Sequence, residues 1–507
     1  MQDFFEWYQK NYNGLPWLMV GKGPTFSKIR SIDLQKYSTI ALNHVIEDVK
    51  SDVSHVIDFD VLTQSGKSIL KNARFLLMPF YPHFENKPGD RPLTELLKEN
   101  EILKQLEKEE RLLWYNASTA STPASGSPIV PVKYFSADAV ASILGMAGAK
   151  KIWTAGVDGG SAYNSNFSHL NDKTLLANGR KSFNVQFLAI AETLNKYEAE
   201  LIPLGESTIH IFVGTEKDQL LATRVLEYSI RMRTSASVRV TPLYESNIDI
   251  PVPKHEKNRP RTPFSFQRFI IPQLRKYQGR AIYVDSDMQV FTDIRDLAFR
   301  DMKGQQIVNA LGPESGGRKP QFSVMLMDCQ ALKHWDINSI VSMLDRHELS
   351  YEQLMYEMKL ATHDAINLES EWNSLEEFLP GKTKLLHYTD MKFQPWLSRK
   401  NPRAPVWIAE LFQAIEHGFI SRKFLRAETL AGNIRPTLYA QAINRISDPR
   451  RLTFVEILPD SIFTPPHRQK RWHQKNTSCK WLKGAFALVL VHTFSLFRRL
   501  ISKFRGN

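Results

Sequence analysis

Short apolar runs alternate along the chain with segments in which apolar residues recur at helical spacing. In the first 200 residues, strand candidates lie at 17–20 (WLMV), within 55–62 (HVIDFDVL) and within 150–160 (KKIWTAGVDGG). Continuous apolar runs bounded by glycine and polar residues are typical of buried strands in parallel sheets. The pattern therefore predicts an α/β domain over residues 1–203, with a boundary near 201–207.

The same alternation continues after the boundary. A strand candidate at 208–214 precedes a helix in which Leu221, Val225, Tyr228 and Met232 keep helical spacing. Further strand candidates lie at 238–243 and 281–284, with a helical segment at 264–277 between them. The sequence thus predicts a second α/β domain over residues 207–460.

The last segment, residues 467–507, differs from the rest of the chain. It holds an uncharged run of 14 residues from Gly484 to Phe497, which is short of the roughly 20 residues that a membrane-spanning helix needs. As a helix it has basic residues on both sides of the run and gathers on one face Leu482, Phe486, Val489, Leu490, Phe497, Leu500, Ile501 and Phe504. We expect a basic amphipathic helix on the surface of an anionic membrane. The alternative is a helix docked on the protein's own core.

Charge is concentrated in this tail. The 507 residues carry a net charge of +13, but residues 467–507 hold ten Lys and Arg and no Asp or Glu. The remainder is nearly neutral, whereas a duplex-binding domain needs its positive charge on a folded face, so we expect no nucleic-acid partner. The two cysteines, Cys329 and Cys479, cannot form a disulfide framework, and the start of the chain lacks a signal-peptide pattern. Together these features favour a cytoplasmic protein, peripheral on the inner face of the membrane.

Polar and glycine residues follow the strand candidates of the first domain. Gly21 and Gly23 come directly after 17–20, an arrangement that serves equally as a phosphate cradle or as a tight turn. These segments loosely resemble bacterial sialyltransferase-like and motility-associated domains. The resemblance implies a Rossmann-like fold and a nucleotide pocket lined by Gly21, Gly23, Asn43, Asp58 and Asp158.

The chain contains the pattern Asp-x-Asp twice, at Asp58/Asp60 and at Asp285/Asp287. Two carboxylates placed beyond a strand can share a divalent cation, because carboxylate oxygens are the ligands that Mg²⁺ and Mn²⁺ prefer. The pattern by itself is common. A third ligand candidate, His387, closes another short apolar run about a hundred residues after the second pair.

Four motifs of the second domain resemble the retaining glycosyltransferases of family eight. They are FQRFIIP, YVDSDMQVF, HDAIN and HYTDMKFQPW, in the family's order, and the resemblance covers about residues 207–396. It implies the GT-A fold, a nucleotide-sugar-binding α/β sandwich, and a transferase that uses a UDP-sugar with Mn²⁺ or Mg²⁺. By this resemblance the metal ligands are Asp285, Asp287 and His387; the catalytic residues are Asp285, Asp287, His363 and Asp364; and the donor-binding residues are Gly214, Thr215, Arg268, Asp285, Asp364 and Lys392.

The chain departs from the family at several of these positions. Thr362 and His363 stand where the family has Asp and Gln, and Asp390 replaces a glycine and is followed by one additional residue before Lys392. Ser323 replaces a small-residue motif before VMLMD. These departures indicate a divergent branch with its own sugar, or a weak enzyme.

The sequence therefore predicts a metal-dependent hexosyltransferase that moves a sugar from a UDP-sugar to a glycan or lipid-linked acceptor with retention of configuration. Three alternatives stay open. The second domain is a nucleotide-sugar-binding scaffold without turnover, the first domain is a CMP-sugar transferase, or both domains are structural parts of a basic adaptor.

Overall fold

The computed structural model describes residues 1–120, 122–124, 126–170, 182–262, 264–310, 322–364, 366–469 and 477–504. The chain divides into two compact units. The N-terminal unit comprises Met1–Thr208 with Thr234–Ser237, and the C-terminal unit comprises Ile209–Arg233 with Val238–Asn507.

The N-terminal unit alternates strands and helices. Its strands are β1 (Gln2–Asp3), β2 (Trp17–Val20), β3 (Ser38–Leu42), β4 (Ser51–His55), β5 (Ala73–Pro79), β6 (His83–Phe84), β7 (Lys87–Pro88), β8 (Leu112–Ala117), β9 (Ile129–Val130), β10 (Lys151–Ala155) and β11 (Glu200–Pro203). Its helices are α1 (Phe4–Asn11), α2 (Phe59–Asn72), α3 (Leu93–Glu99), α4 (Glu101–Lys108), α5 (Ser136–Met146) and α6 (Gln186–Lys196).

Nine of these strands form one sheet in which every pairing is parallel. The strand order is β1-β8-β5-β4-β3-β2-β10-β11, and β9 pairs with β8. Successive residues of β2 enter two separate cores: Trp17 and Met19 belong to one, Leu18 and Val20 to the other. Both faces of the sheet are therefore covered, which explains why its strands read as unbroken apolar runs.

The C-terminal unit has smaller sheets and more helix. Its strands are β12 (Ile209–Gly214), β13 (Val238–Pro242), β14 (Arg280–Asp285), β15 (Met288–Val290), β16 (Ile307–Asn309), β17 (Val324–Asp328), β18 (Ser374–Leu375) and β19 (Leu385–His387). Its helices are α7 (Leu220–Arg231), α8 (Ile271–Leu274), α9 (Arg295–Ala298), α10 (Ile337–Asp345), α11 (Tyr351–Met355), α12 (Ala404–Glu416), α13 (Arg422–Leu430), α14 (Pro436–Asn444), α15 (Phe454–Ile457), α16 (Pro466–Gln469) and α17 (Thr477–Phe504).

The five-stranded sheet of this unit is mixed. Its order is β13-β12-β14-β17-β16; β12 and β14 are parallel, and β17 runs antiparallel to both of its neighbours. A second sheet, β15-β19-β18, begins directly after β14. The fold class is thus α/β as predicted, with a Rossmann-like parallel sheet followed by a mixed-sheet region and a C-terminal helix.

Helix α17 packs on α13 and α14 through its small residues. Gly484, Ala487, Leu488 and Val491 are buried. An added Cβ on Gly484 would lie 2.5 Å from the backbone oxygen of Leu430, so the glycine permits the close approach. Among the described residues, no helix is both long enough and apolar enough to cross a membrane.

Candidate functional site

The turn between the two sheets of the C-terminal unit carries the second Asp-x-Asp pair. Asp285 ends β14, the central strand of the mixed sheet, and Asp287 immediately precedes β15. β15 runs antiparallel to β19 with Met288 opposite His387, and the backbone N–H of Tyr388 donates to the oxygen of Asp287 at 2.9 Å. This register brings His387, about a hundred residues later in the chain, beside the two aspartates.

The three side chains form a compact group suited to a divalent cation. One ligand atom from each of Asp285, Asp287 and His387 lies within 4.8 Å of the others. The His387 Nε2 is 3.1 Å from Asp287 Oδ1. Two carboxylate oxygens and an imidazole nitrogen are a donor set that Mn²⁺ accepts and that Mg²⁺ tolerates. These residues therefore fit the predicted metal role, and within the described part of the chain they are the group that could hold an ion.

Neighbouring polar groups hold each ligand in place. His387 Nδ1 lies 2.9 Å from Asn373 Oδ1, so the ring donates from Nδ1, and Nε2 is the nitrogen that would bind a metal once it has lost its proton. The Gln394 amide donates to Asp287 Oδ2 at 2.9 Å, and the Tyr283 hydroxyl donates to Asp285 Oδ1 at 2.6 Å. All three candidate ligands are thus oriented by side chains outside the group.

Burial of Asp285 and His387 shifts their pKa values, because a charged side chain is less stable away from water. Burial raises the pKa of Asp285, although the nearby Arg268 guanidinium opposes that rise. Burial by itself would lower the pKa of His387, but the carboxylates of Asp287 and Asp285 raise it above its ordinary value. A divalent cation would relieve the repulsion between the two carboxylates and replace the proton on the imidazole.

Arg268 is packed behind the aspartate pair. Its guanidinium is buried, lies 4.6 Å from the centre of the Tyr283 ring, and donates to the backbone oxygen of Phe322 at 3.0 Å. One of its nitrogens is 3.9 Å from Asp285 Oδ1. In this conformation Arg268 supports Asp285, and its predicted contact with the donor stays a prediction.

The predicted uridine-binding residues lie at the end of β12, the neighbour of β14. Gly214 is opposite Asp285 in the parallel pairing, and a Cβ at Gly214 would meet the Tyr283 hydroxyl at 2.3 Å. The backbone N–H and oxygen of Thr215 both bond the side-chain amide of Gln267 at 3.2 Å. The backbone N–H and oxygen of Thr215 are therefore already hydrogen-bonded, so a nucleobase would have to contact other groups at the end of this strand.

The remaining predicted donor residues are not part of the metal group. The side chain of Asp364 is 92% exposed, and His363 points its Nε2 at the backbone oxygen of Glu357 at 3.0 Å. Lys392 is exposed, and its backbone N–H donates to the Asp390 carboxylate at 2.9 Å. Asp390 thus closes its own turn, and the donor and catalytic roles of His363, Asp364 and Lys392 stay predictions.

Sequence reasoning missed the three residues that orient the ligands. Tyr283 precedes Asp285 by two positions on one strand, so the period-two alternation could have placed both on the same face. Gln394 lies within the QPW motif, which marked the segment without giving the residue a role. Asn373 carries no local signal, because its approach to His387 comes from the pairing of β18 with β19.

In the N-terminal unit, the five predicted pocket residues line one cavity of about 440 Å³. It lies at the carboxyl ends of β2, β3, β4 and β10, where the strand order turns back on itself between β2 and β10. Such switch points are where open parallel sheets bind ligands. Lys22 also lines the cavity, with its Nζ 4.8 Å from the centre of the Tyr163 ring; burial lowers the pKa of Lys22 to about 8.

The glycine turn after β2 is hydrogen-bonded to the loop after β10. Gly21 donates to the backbone oxygen of Ala155 at 2.8 Å, and Gly23 donates to that of Gly156 at 2.7 Å. The Asp158 carboxylate accepts hydrogen bonds from the Thr25 backbone and hydroxyl. These amides and this carboxylate are therefore used in joining the two loops, and they do not cradle an anion in this conformation.

Asn43 and Asp58 face the same cavity from the next two strand ends. Asn43 has a left-handed backbone, with φ of 52°, and its side-chain oxygen accepts from the Ser136 hydroxyl at 3.1 Å. Burial raises the pKa of Asp58 to about 6, and the adjacent Asp60 adds to the rise. Unlike Asp285 and Asp287, this aspartate pair has no third ligand among the described residues.

Similar proteins of known structure are glycosyltransferases. The bifunctional glycosyltransferase WbbM shares 13% identity and a TM-score of 0.31, over 45% of this chain and 56% of that one. GlyE of Streptococcus pneumoniae shares 16% identity and a TM-score of 0.30, over 40% and 60%. The galactosyltransferase LgtC shares 13% identity and a TM-score of 0.29, over 42% and 96%. All three TM-scores are below 0.5, and the functional proposal is drawn from the strand order, the metal group and the sequence motifs.

Among curated proteins, Protein CDI of Arabidopsis thaliana is 35% identical over 109 residues. That match takes in 21% of this chain and spans 40% of the length of Protein CDI. No protein-family model matches the chain.

Proposed function

We propose that the C-terminal unit is a metal-dependent glycosyltransferase of the GT-A type. The observation that carries the proposal is the convergence of Asp285, Asp287 and His387 at the end of the central strand of a mixed sheet. The four family-eight motifs support it, because residues from two of them make up this group. In its finer form, the proposal is transfer of a hexose from a UDP-sugar to a glycan or lipid-linked acceptor, with retention of configuration.

In the proposed reaction, the metal group would act on the diphosphate of the nucleotide-sugar donor. Asp285, Asp287 and His387 would hold Mn²⁺ or Mg²⁺, which when bound offsets the charge of a departing diphosphate. The protein's part is to keep the ligands fixed: Asn373 sets the His387 tautomer, Gln394 holds Asp287, and Tyr283 holds Asp285. Rigid ligands preserve the geometry that a developing charge requires.

Retention and the UDP moiety rest on the family resemblance. A retaining glycosidase needs a nucleophilic carboxylate paired with an acid, and neither Asp285 nor Asp287 is free for that role if it binds metal. We therefore propose that the acceptor approaches the anomeric carbon on the face from which the diphosphate leaves. The departures from the family at Thr362, His363 and Asp390 favour one alternative, a scaffold that binds the donor without turnover.

The test is release of UDP and transfer of sugar by the purified full chain over a panel of UDP-sugars, with Mn²⁺ and with EDTA. Asp287→Ala should abolish both activities. Asp60→Ala is the matched control, because it removes one carboxylate of the other Asp-x-Asp pair. Mn²⁺ binding, measured separately by calorimetry, should weaken in Asp287→Ala and stay unchanged in Asp60→Ala.

Three outcomes distinguish an active transferase from a donor-binding scaffold and test the metal role. Activity that needs both metal and Asp287 supports the transferase. Donor binding without turnover on any acceptor supports the scaffold. Full activity of Asp287→Ala, or full activity in excess EDTA, overturns the metal role.

A second proposal concerns the N-terminal cavity, because its five predicted residues lie together at the switch point of a parallel sheet. We propose that it binds a nucleotide, with a CMP-sugar as the candidate donor. Lys22 would contact the phosphate, since the amides of Gly21 and Gly23 are already bonded. Binding of CMP to the Asp287→Ala chain in EDTA, lost in Lys22→Met, would support this; CMP binding that is unaffected by Lys22→Met would contradict it.

The proposed acceptor suggests a place for the reaction. Lipid-linked acceptors lie at a membrane surface, and we propose that the chain works as a peripheral protein on the cytoplasmic face. No nucleic-acid partner is proposed, because the positive charge of the chain is concentrated in residues 467–507.

A further inference from the structure

Helix α17 presents two different faces. Its small face, described above, is buried on α13 and α14. Its bulky face holds Leu482, Phe486 and Val489 at helical spacing with Trp481 beside them, and these side chains are 58–63% exposed. A surface helix normally turns its apolar residues inward, but among its described side chains α17 buries only Leu488 and Val491 with its small residues and leaves this second apolar face in contact with solvent.

The bulky face is part of a larger apolar patch. Helix α15 and the 3-10 turn Leu458–Ile462 both pack against α17, and they add Phe454, Val455 and Leu458, which are 76%, 45% and 39% exposed. We define the apolar patch as Phe454, Val455, Leu458, Trp481, Leu482, Phe486 and Val489. It holds seven of the fourteen exposed large apolar side chains in the described part of the chain. Such concentration marks an interaction surface.

The charge around the patch indicates its partner. Lys483 lies exposed within the bulky stretch, and Arg451 and Arg468 are exposed on the segments that lead to it. In sequence, residues 467–507 contain ten Lys and Arg and no carboxylate side chain. The one-sided charge belongs to residues 467–507, because residues 448–462 hold two Arg and three carboxylate side chains. An anionic bilayer surface is complementary to the basic residues of α17 and of the segment before it.

We propose that the apolar patch docks on an anionic membrane surface, with α17 lying in the interface and remaining packed on α13 and α14. Trp481, Phe486 and Phe454 would enter the boundary between headgroups and acyl chains, where aromatic rings are favoured. Lys483, Arg451 and Arg468 would contact lipid phosphates. This arrangement needs no unfolding of the helix, since the docked face and the exposed face are separate. The proposal does not depend on the chemistry of the metal group.

The test is co-sedimentation of the full chain with lipid vesicles. Wild type should bind vesicles with about 30% phosphatidylglycerol far more strongly than pure phosphatidylcholine, and high salt should weaken the binding. The double variant Leu482→Ser, Phe486→Ser should lower the vesicle partition coefficient by a factor of about ten or more, because two apolar side chains no longer enter the interface. Lys483→Glu should lower binding to anionic vesicles alone. Phe299→Ser is the matched control, because Phe299 is 49% exposed and lies outside the patch.

Circular dichroism and thermal melting should show all variants folded, because each changed side chain is exposed. Wild type that binds neither vesicle, or a double variant that binds as well as wild type, overturns the proposal. So does a wild-type dimer that the double variant converts to a monomer without any vesicle binding, because the patch would then face a second copy of the chain. Mn²⁺ binding is measured in parallel, so failure of the membrane proposal is distinguishable from failure of the metal site.

Discussion

His55 is a buried histidine that cannot accept a proton without loss of stability. It lies on β4 of the N-terminal unit with no exposed surface, and its Nε2 is 3.1 Å from the Tyr115 hydroxyl. Burial lowers the pKa of His55 to about 3. In the unfolded chain the imidazole titrates near its ordinary value of about 6.5, so the unfolded state binds the proton first.

The sign and size of the effect follow from these two pKa values. Because the folded pKa is the lower one, the stabilising contribution is present above pH 6.5 and is lost as the pH falls towards the folded value. Between pH 7 and pH 5 the loss is about 2 kcal/mol. Asp138, whose pKa burial raises to about 6, acts in the opposite direction, but its contribution is common to wild type and a His55 variant.

The assay compares urea unfolding of wild type and His55→Gln at pH 7 and pH 5. Glutamine retains an amide near the Tyr115 hydroxyl and does not titrate. The variant should lose about 2 kcal/mol less than wild type on acidification, a difference of about 1 M in urea midpoint for the transition of this unit. Tyr115→Phe keeps the histidine and should keep the full acid loss. Equal acid losses in wild type and His55→Gln would refute the reasoning.

Three further predictions concern other buried contacts. Asn373→Ala should weaken Mn²⁺ binding by roughly 10–100-fold in calorimetry, because His387 loses the acceptor that fixes its tautomer; unchanged affinity would contradict this. Gly21→Ala should destabilise the N-terminal unit by more than about 1 kcal/mol in thermal melting, since its Cβ would lie 2.3 Å from the backbone oxygen of Gly156. A melting curve like that of wild type would show that the loops can separate. Arg435→Met should cost about 3 kcal/mol in urea unfolding, because this fully buried guanidinium bonds backbone and side-chain oxygens, and a loss below about 1 kcal/mol would disagree with its role.

Some strands were predictable because apolar runs indicate burial on both faces of a sheet, but the candidate within 55–62 was misplaced, since β4 ends at His55 and α2 begins at Phe59. β2 and the end of β14 were located from the sequence to within a residue, and the second aspartate pair was linked to His387 through motif order. The register that joins them was not predictable, because it depends on β15 pairing with β19 and no local pattern specifies that partner. The same holds for Asn373, which reaches the site through a strand pairing.

The features that the sequence did not predict are side-chain directions and the close packing of helices. A motif match placed Asp364 among donor contacts, and this stays a prediction; its carboxylate is 92% exposed, a side-chain direction that the sequence does not specify. The tail pattern predicted an apolar face on α17, and Leu482, Phe486 and Val489 of that face are exposed. It did not reveal that Gly484 and Ala487 form a docking face, because small residues carry little hydrophobic signal while still allowing helices to approach closely.

The strand order of the N-terminal unit has a consequence for its synthesis. β2 leaves the ribosome early and lies in the middle of the finished sheet, but one of its two neighbours, β10, is made only after β3, β4, β5 and β8. β1, at the very start of the chain, waits for β8. A half-built sheet therefore exposes an open edge on β2 until β10 is made, and such edges recruit other chains. Growing chains of this unit would need chaperone protection until residues 151–155 emerge.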